Sequence, residues 1–266
     1  MYLKEIYNMN ENFIQGSLEM INLTKSKMNQ YDYRDWISYF QENNHQRLDI
    51  DFSQEKQLSA SECDLIFPSI KAFQKGEGSD GRHLMKAARR FIQEYKETDY
   101  QEAVQWFIRE ENWHSAYLRT FMDFYHVKTA KKSLPDKLFR KLRQTGGIKS
   151  EITILVTAEI IALTYYDALS KSTESSALKS ICSQMLKDEL PHIIFQSYTL
   201  SRLKKRAFDK VIRIMIMELT MLFVWLLFHN VYQAGGYSFV QFLKASMGYL
   251  RQSIVLVEQN RESSPY

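Results

Sequence analysis

Apolar residues recur along much of the chain in alternating steps of three and four, the spacing that puts side chains on one face of an α-helix. Val104, Phe107, Glu111, His114, Leu118, Phe121 and Tyr125 form one such stripe without a slip. Ile152, Val156, Glu159, Leu163 and Tyr166 form a second, and Leu178, Cys182, Met185, Glu189 and His192 a third. A fourth runs through Ile70, Phe73, Glu77, Asp80, Leu84, Ala87 and Phe91, which predicts a long helix over about 61–95. Glycines at 76, 78 and 81 interrupt it. They are read either as a loop between two shorter helices or as small residues that leave room beside a ligand. Asp99, with Glu102 three residues on, is the expected N-cap of the next helix.

The rest of the chain fits around these four stripes. Residues 1–60 are mixed and polar, with Trp36, Tyr39 and Phe40 as anchors of a short packed helix, and are read as a covering extension without chemistry of its own. The basic stretch 127–149 carries Pro135, Gly146 and Gly147, and is long enough to cross a helical bundle from end to end. Beyond Arg206 the stretch 211–228 is strongly apolar, but Arg213 and Glu218 interrupt it. Its unbroken part, Leu219 to Phe228, is about half the roughly 20 residues that a membrane span requires. A buried fifth helix or a subunit contact is therefore expected there rather than a span, followed by a last amphipathic helix ending near Glu258.

Composition narrows the class. Nine glycines and four prolines in 266 residues are too few for many short strands, so an all-α fold is expected. The organisation read from the sequence is one domain: an N-terminal extension over 1–60, a four-helix bundle over 61–204, and additional C-terminal helices over 205–266. A net charge of +4, spread along the chain, gives no indication of nucleic-acid binding. Cys63 and Cys182 form neither a Cys-x-x-Cys pair nor a disulfide framework. The opening residues show no basic and apolar leader, and a cytoplasmic setting is the expectation.

The acids and imidazoles inside the stripes carry the chemistry. Glu111-Asn-Trp-His114 and Glu189-Leu-Pro-His192 each aim a carboxylate and an imidazole at one point. Each is preceded by a further stripe acid, Glu77 or Glu159. Buried carboxylates and imidazoles are costly unless they are paired or bound to metal. Two helices giving one Glu each, and two giving Glu-x-x-His, is how a dinuclear metal site is built inside a four-helix bundle. The expected ligands are Glu77, Glu111, His114, Glu159, Glu189 and His192, with Asp80 as the alternative to Glu77. Four carboxylates match the charge of two divalent cations, and mixed oxygen and nitrogen ligands suit iron or manganese. Asp188 and Glu110 point about 100° away from the ligands and are read as outer residues, with Asp188 the candidate to orient His114 or His192.

These motifs resemble those of the ferritin-like di-iron carboxylate superfamily. Gly76-Glu77-Gly78-Ser79 is similar to the first ligand region of rubrerythrins. Ala158-Glu159 with Tyr165-Tyr166, and Leu186-Lys187-Asp188-Glu189-Leu-Pro-His192, are similar to aldehyde-deformylating oxygenases. The resemblance covers about residues 62–204. It implies a ferritin-like four-helix bundle holding two iron ions, or manganese and iron, with Glu111 and Glu189 as the bridging pair. The implied activity is that of an oxidoreductase that activates O2 or peroxide and oxidises a hydrophobic small molecule, with electrons from an external donor. Val104, Phe107, Ile160, Leu163 and Phe195 would line the substrate's path, and Tyr166 is the candidate redox-active tyrosine. The alternatives are iron handling, as ferroxidase or peroxide scavenger, and a non-catalytic scaffold acting as a homodimer through 211–228. Pro191, inside the second motif, is expected to bend its helix.

Overall fold

The computed structural model describes residues 20–78, 81–130 and 147–262. Among these residues the regular structure is helical throughout, with eight α-helices and two short 3-10 turns, Leu23–Lys25 and Lys27–Gln30, near the start. The α-helices are α1 (Tyr33–Asn44), α2 (Ala60–Glu77), α3 (Arg82–Tyr95), α4 (Tyr100–Phe124), α5 (Gly147–Lys171), α6 (Ser176–Arg202), α7 (Asp209–Ala234) and α8 (Phe239–Glu262).

Local chemistry sets several boundaries. Asp32 opens α1 with a reciprocal capping box: its side chain accepts from the backbone N–H groups of Arg34 and Asp35, and Asp35 accepts from that of Asp32. Ser59 and Ser175 cap α2 and α6 by accepting from the N–H groups of Glu62 and Leu178. Asp99 does stand before α4, yet its side chain makes no cap bond and pairs instead with Arg34 at 2.8 Å. The long helix expected over 61–95 is broken in two. Gly81 sits at φ +64, and a Cβ there would come within 2.5 Å of the Ile108 side chain. Only glycine accepts that conformation without strain, so the chain stops α2 at Glu77 and restarts it as α3.

α5 is apolar on all sides and buried along nearly its whole length, as expected of a central helix. It packs antiparallel along α6 across the turn Ser172–Ser175, while α2 and α1 lie along α4 and α4 also meets α6. α1 is held by aromatic packing: Trp36 and Phe40 stand 5.4 and 5.3 Å, centroid to centroid, from Phe195 on α6. Full burial of such side chains contributes about 1.5–3 kcal/mol each, enough to fix this extension against the bundle.

Of the two expectations for the apolar stretch, a buried fifth helix or a subunit contact, the buried helix is corrected. α7 buries one side only, through Arg213, Met217, Thr220, Met221 and Val224. Its other side exposes Ile212, Met215, Leu219, Leu222 and Leu226, again in steps of three and four. α5 and α7 are both long and apolar enough to cross a membrane, but 94% of the apolar stretch of α5 is buried and only 28% of that of α7. The Pro135 and Gly146 part of the basic connection, 131–146, lies outside the described residues.

Candidate metal centre

Four helices converge on one buried cluster. α4 presents Glu111 and His114 from consecutive turns of one face, and α6 presents Glu189 and His192 in the same way. α5 gives Glu159, and Glu77 arrives as the last residue of α2. Within this cluster the potential ligand atoms form two sets, each with its atoms within 4.8 Å of one another. One set is Glu77, Glu111, His114 and Glu189; the other is Glu111, Glu159, Glu189 and His192. Glu111 and Glu189 belong to both. Asp80, the alternative to Glu77, lies outside the described residues.

The atoms fit metal ions. Opposite ligands of one ion with bonds of about 2.0–2.2 Å stand roughly 4.0–4.4 Å apart, close to the spread of each set. The Glu111 Oε1, His114 Nδ1 and Glu189 Oε1 atoms are buried without a hydrogen-bond partner, a state that is expensive unless something else satisfies them. Both imidazoles turn Nδ1 toward the carboxylates. His192 Nδ1 lies 3.0 Å from Glu111 Oε1 and 3.3 Å from Glu189 Oε2, and His114 Nδ1 lies 3.4 Å from Glu189 Oε1. Cys63 and Cys182 are not in the cluster, so the donors are oxygen and nitrogen alone.

The opposite ring nitrogens are held from behind, and the two motifs serve each other. His114 Nε2, on α4, faces Asp188 Oδ2 on α6 at 3.2 Å, while His192 Nε2, on α6, faces Glu110 Oε1 on α4 at 2.8 Å. A carboxylate on Nε2 fixes the proton there and leaves the Nδ1 lone pair for a metal. The two supporting acids are joined by Asn43 of α1, whose Nδ2 donates to Glu110 Oε2 at 2.7 Å and Asp188 Oδ1 at 3.0 Å. Gln184 Nε2, one turn before Asp188, donates to both Asp188 oxygens at 2.9 Å.

Asn43 and Gln184 are absent from the sequence reading, and α1 is thus not free of chemistry. Asn43 was visible by the signal that singled out Glu111: it continues the Trp36, Phe40 stripe in a step of three, a polar residue in an apolar seam. Pro191 lies one turn into the site within a helix that runs on to Arg202. It offers no N–H to the carbonyl of Lys187.

Burial dominates the electrostatics. It raises Glu77 and Glu159 well above the usual carboxylate range, helped for both by the charges of Glu111 and Glu189. Glu110 is raised by burial and by Asp188. Glu189 is moved the other way. Burial works against it, but the Glu159, His114 and His192 side chains packed around it hold it below its ordinary value. Burial also opposes charging of the two histidines, and is outweighed by Asp188 and Glu189 around His114 and by Glu110 and Glu111 around His192. Without metal, this cluster is a store of protons.

Tyr166 donates from its hydroxyl to Glu77 Oε1 at 2.7 Å, and burial and Glu77 both push its ionisation up. Its neighbour Tyr165 turns aside, donating to Ser69 and stacking on Phe73 at 3.5 Å. Trp113 and Tyr117 are engaged away from the ligands, Trp113 beneath the Arg47 guanidinium and Tyr117 accepting from the Leu48 N–H. His83 and His126 belong to neither ligand set. Val104, Phe107, Ile160, Leu163 and Phe195 are buried, with Phe107 edge-on to His192 at 4.8 Å. No family model, curated protein or solved structure matches this chain.

Proposed function

We propose that the chain is a ferritin-like di-metal carboxylate oxidoreductase, holding two iron ions, or manganese and iron, and using O2 or peroxide to oxidise a hydrophobic small molecule. The observation that carries this reading is the sharing of Glu111 and Glu189 between two four-residue ligand sets. A single-metal site does not need it. Four carboxylates and two neutral imidazoles would balance two divalent cations without leaving charge in the core. Glu77 and His114 would complete one coordination set, and Glu159 and His192 the other. Once bound, the metals would supply redox reactivity toward oxygen that no side chain has.

The chain's own part is to hold and to exclude. Glu110 and Asp188 hold the proton on each Nε2 and aim each Nδ1 inward, where a bound metal would take the place of its proton, and Asn43 fixes the two acids. Tyr166 keeps its hydroxyl donor 2.7 Å, oxygen to oxygen, from Glu77, placed to stabilise that carboxylate as its charge changes. Phe107 and Phe195 keep water from the His192 side. Repeated turnover takes an external electron donor in this reading. A second copy of the chain packing on the exposed side of α7 would give the expected homodimer.

Metal analysis by mass spectrometry after anaerobic loading with ferrous iron tests the reading. Two ions per chain are expected for the wild type and fewer than one for a Glu111→Ala, Glu189→Ala double variant, followed by iron-dependent O2 uptake in the wild type alone. A wild type that takes up no metal overturns it.

A further inference from the structure

A second feature lies at the other end of the α5–α6 pair. The start of α5, the end of α6, the start of α7 and the end of α8 enclose a cavity of about 610 Å³, within the 300–1,000 Å³ range of small-molecule sites. It is apart from the metal centre. Its lining residue Leu200 lies two turns beyond His192, about 12 Å along α6, and Thr153 lies about 9 Å before Glu159 along α5. Val156 and Phe195, fully buried, stand on the intervening turns.

The lining has two characters. Leu200, Ile216, Ile254 and Val257 provide an apolar wall. Around it stand Lys149, Lys205, Arg206, Lys210, Arg213 and Arg261, against only Asp209 and Glu258, so six cations less two acids leave +4. That equals the formal charge of the entire chain. The two acids are already engaged: Asp209 accepts from Lys149 at 2.7 Å, and Glu258 from Lys205 at 2.9 Å. Arg261 is engaged too, capping the last carbonyls of α6 at Leu200 and Leu203.

Arg213 is the exception. The residue is 6% exposed, and among the described residues no carboxylate lies within ion-pair distance of it. Its Nη2 donates to Ser253 Oγ at 2.6 Å, and its Nε is buried without a partner. Burial, with Arg261 close by, pushes its ionisation down to about 10, so it is still a cation at neutral pH. The charge of Asp209, one turn before it, partly offsets this, but that acid is already paired with Lys149, and a buried guanidinium without a carboxylate of its own is a costly arrangement. What the cavity lacks is an anion, and what its wall offers is apolar surface.

We propose that this cavity binds a single-chain amphipathic anion, its acidic head group paired with Arg213 and its apolar tail lying along Ile216, Ile254 and Val257. Guanidinium suits the head group because its planar donors match a carboxylate or phosphate in pairs. The site is independent of the metals and of the activity proposed for them.

Calorimetric titration of the full chain, metal-free and metal-loaded, with decanoate and with decanol tests it. Decanoate is expected to bind both forms at least about ten-fold more tightly than the alcohol of equal length, a difference of about 1.4 kcal/mol. Arg213→Met should abolish that preference and leave decanol binding unchanged. The melting temperature of the unliganded variant should hold or rise, because an unpaired buried charge has been removed. Ile254→Ser should weaken both ligands alike. Equal binding of acid and alcohol by the wild type, or binding of neither, overturns the proposal without recourse to any variant. So does co-sedimentation with phosphatidylglycerol vesicles in the absence of decanoate binding, which would make the cations a membrane-facing surface instead.

Discussion

Replacing Asn43 by leucine keeps the volume and removes one amide that serves two buried acids. Glu110 Oε2 accepts from Asn43 at 2.7 Å and from no other described residue, so it is left bare. Asp188 Oδ1 keeps its bond from Gln184 at 2.9 Å and loses less. An orphaned buried acceptor costs about 1–3 kcal/mol and a partly compensated bond about 0.5–1.5, so a loss of about 2–4 kcal/mol is expected. For a chain of this size that lowers the melting temperature by about 5–15 °C. Because Glu110 and Asp188 hold the imidazoles, iron affinity should also fall, by about 10–100-fold as for other residues that orient metal-bound histidines. Thermal melts by circular dichroism, with iron competition against a coloured chelator, measure both. Asn43→Asp should be worse than leucine, since it sets a third carboxylate between two others. Melting temperature and iron affinity both unchanged in the leucine variant would refute the bridging role.

Two further outcomes follow from the same geometry. In the metal-free chain, Glu77, Glu110 and Glu159 are raised above their unfolded values, so the stability they contribute is lost as pH rises above the ordinary carboxylate value of about 4.3. His114 and His192, also raised, contribute stability that is complete below about 6.5 and is lost as pH climbs through their folded values. Glu189 is lowered and adds a loss only in strong acid. Denaturant melts should therefore show the metal-free chain weakening as pH rises above about 4.3 and weakening further above about 6.5, and the iron-loaded chain strengthening over the same range, because metal binding releases the same protons; parallel slopes count against the site. Tyr166→Phe removes the hydroxyl donor to Glu77 and should weaken only the ion held by the Glu77 set, giving two separate steps in an anaerobic iron titration. Equal weakening of both ions would sink this assignment.

The helices were legible because the 3-4 stripes are long, and the six acids and imidazoles because each breaks an apolar seam at a fixed step. Glu77 stood out by that step although its helix ends there. Periodicity across Gly81 continued by coincidence, since one left-handed residue resets the direction of the chain without disturbing the count. The one-sided burial of α7 was hidden by its composition: a helix apolar all round gives no sign of which face is covered. Asn43 was missed for another reason. Nothing local ties residue 43 to residues 110 and 188, and only the aromatic packing of α1 on α6 brings them within hydrogen-bond reach.

The crossed support of the histidines has a consequence for how such a centre could be taken apart. Neither helix pair owns a finished half: the α4 motif borrows Asp188, and the α6 motif borrows Glu110. A fragment ending before α5 would carry an imidazole free to rotate, not a weaker copy of the site. Two identical fragments related by a two-fold axis, however, would each lend the acid that the other lacks. The smallest unit in which both imidazoles are held would thus be a two-fold pair of such fragments, and the single chain supplies both acids by itself.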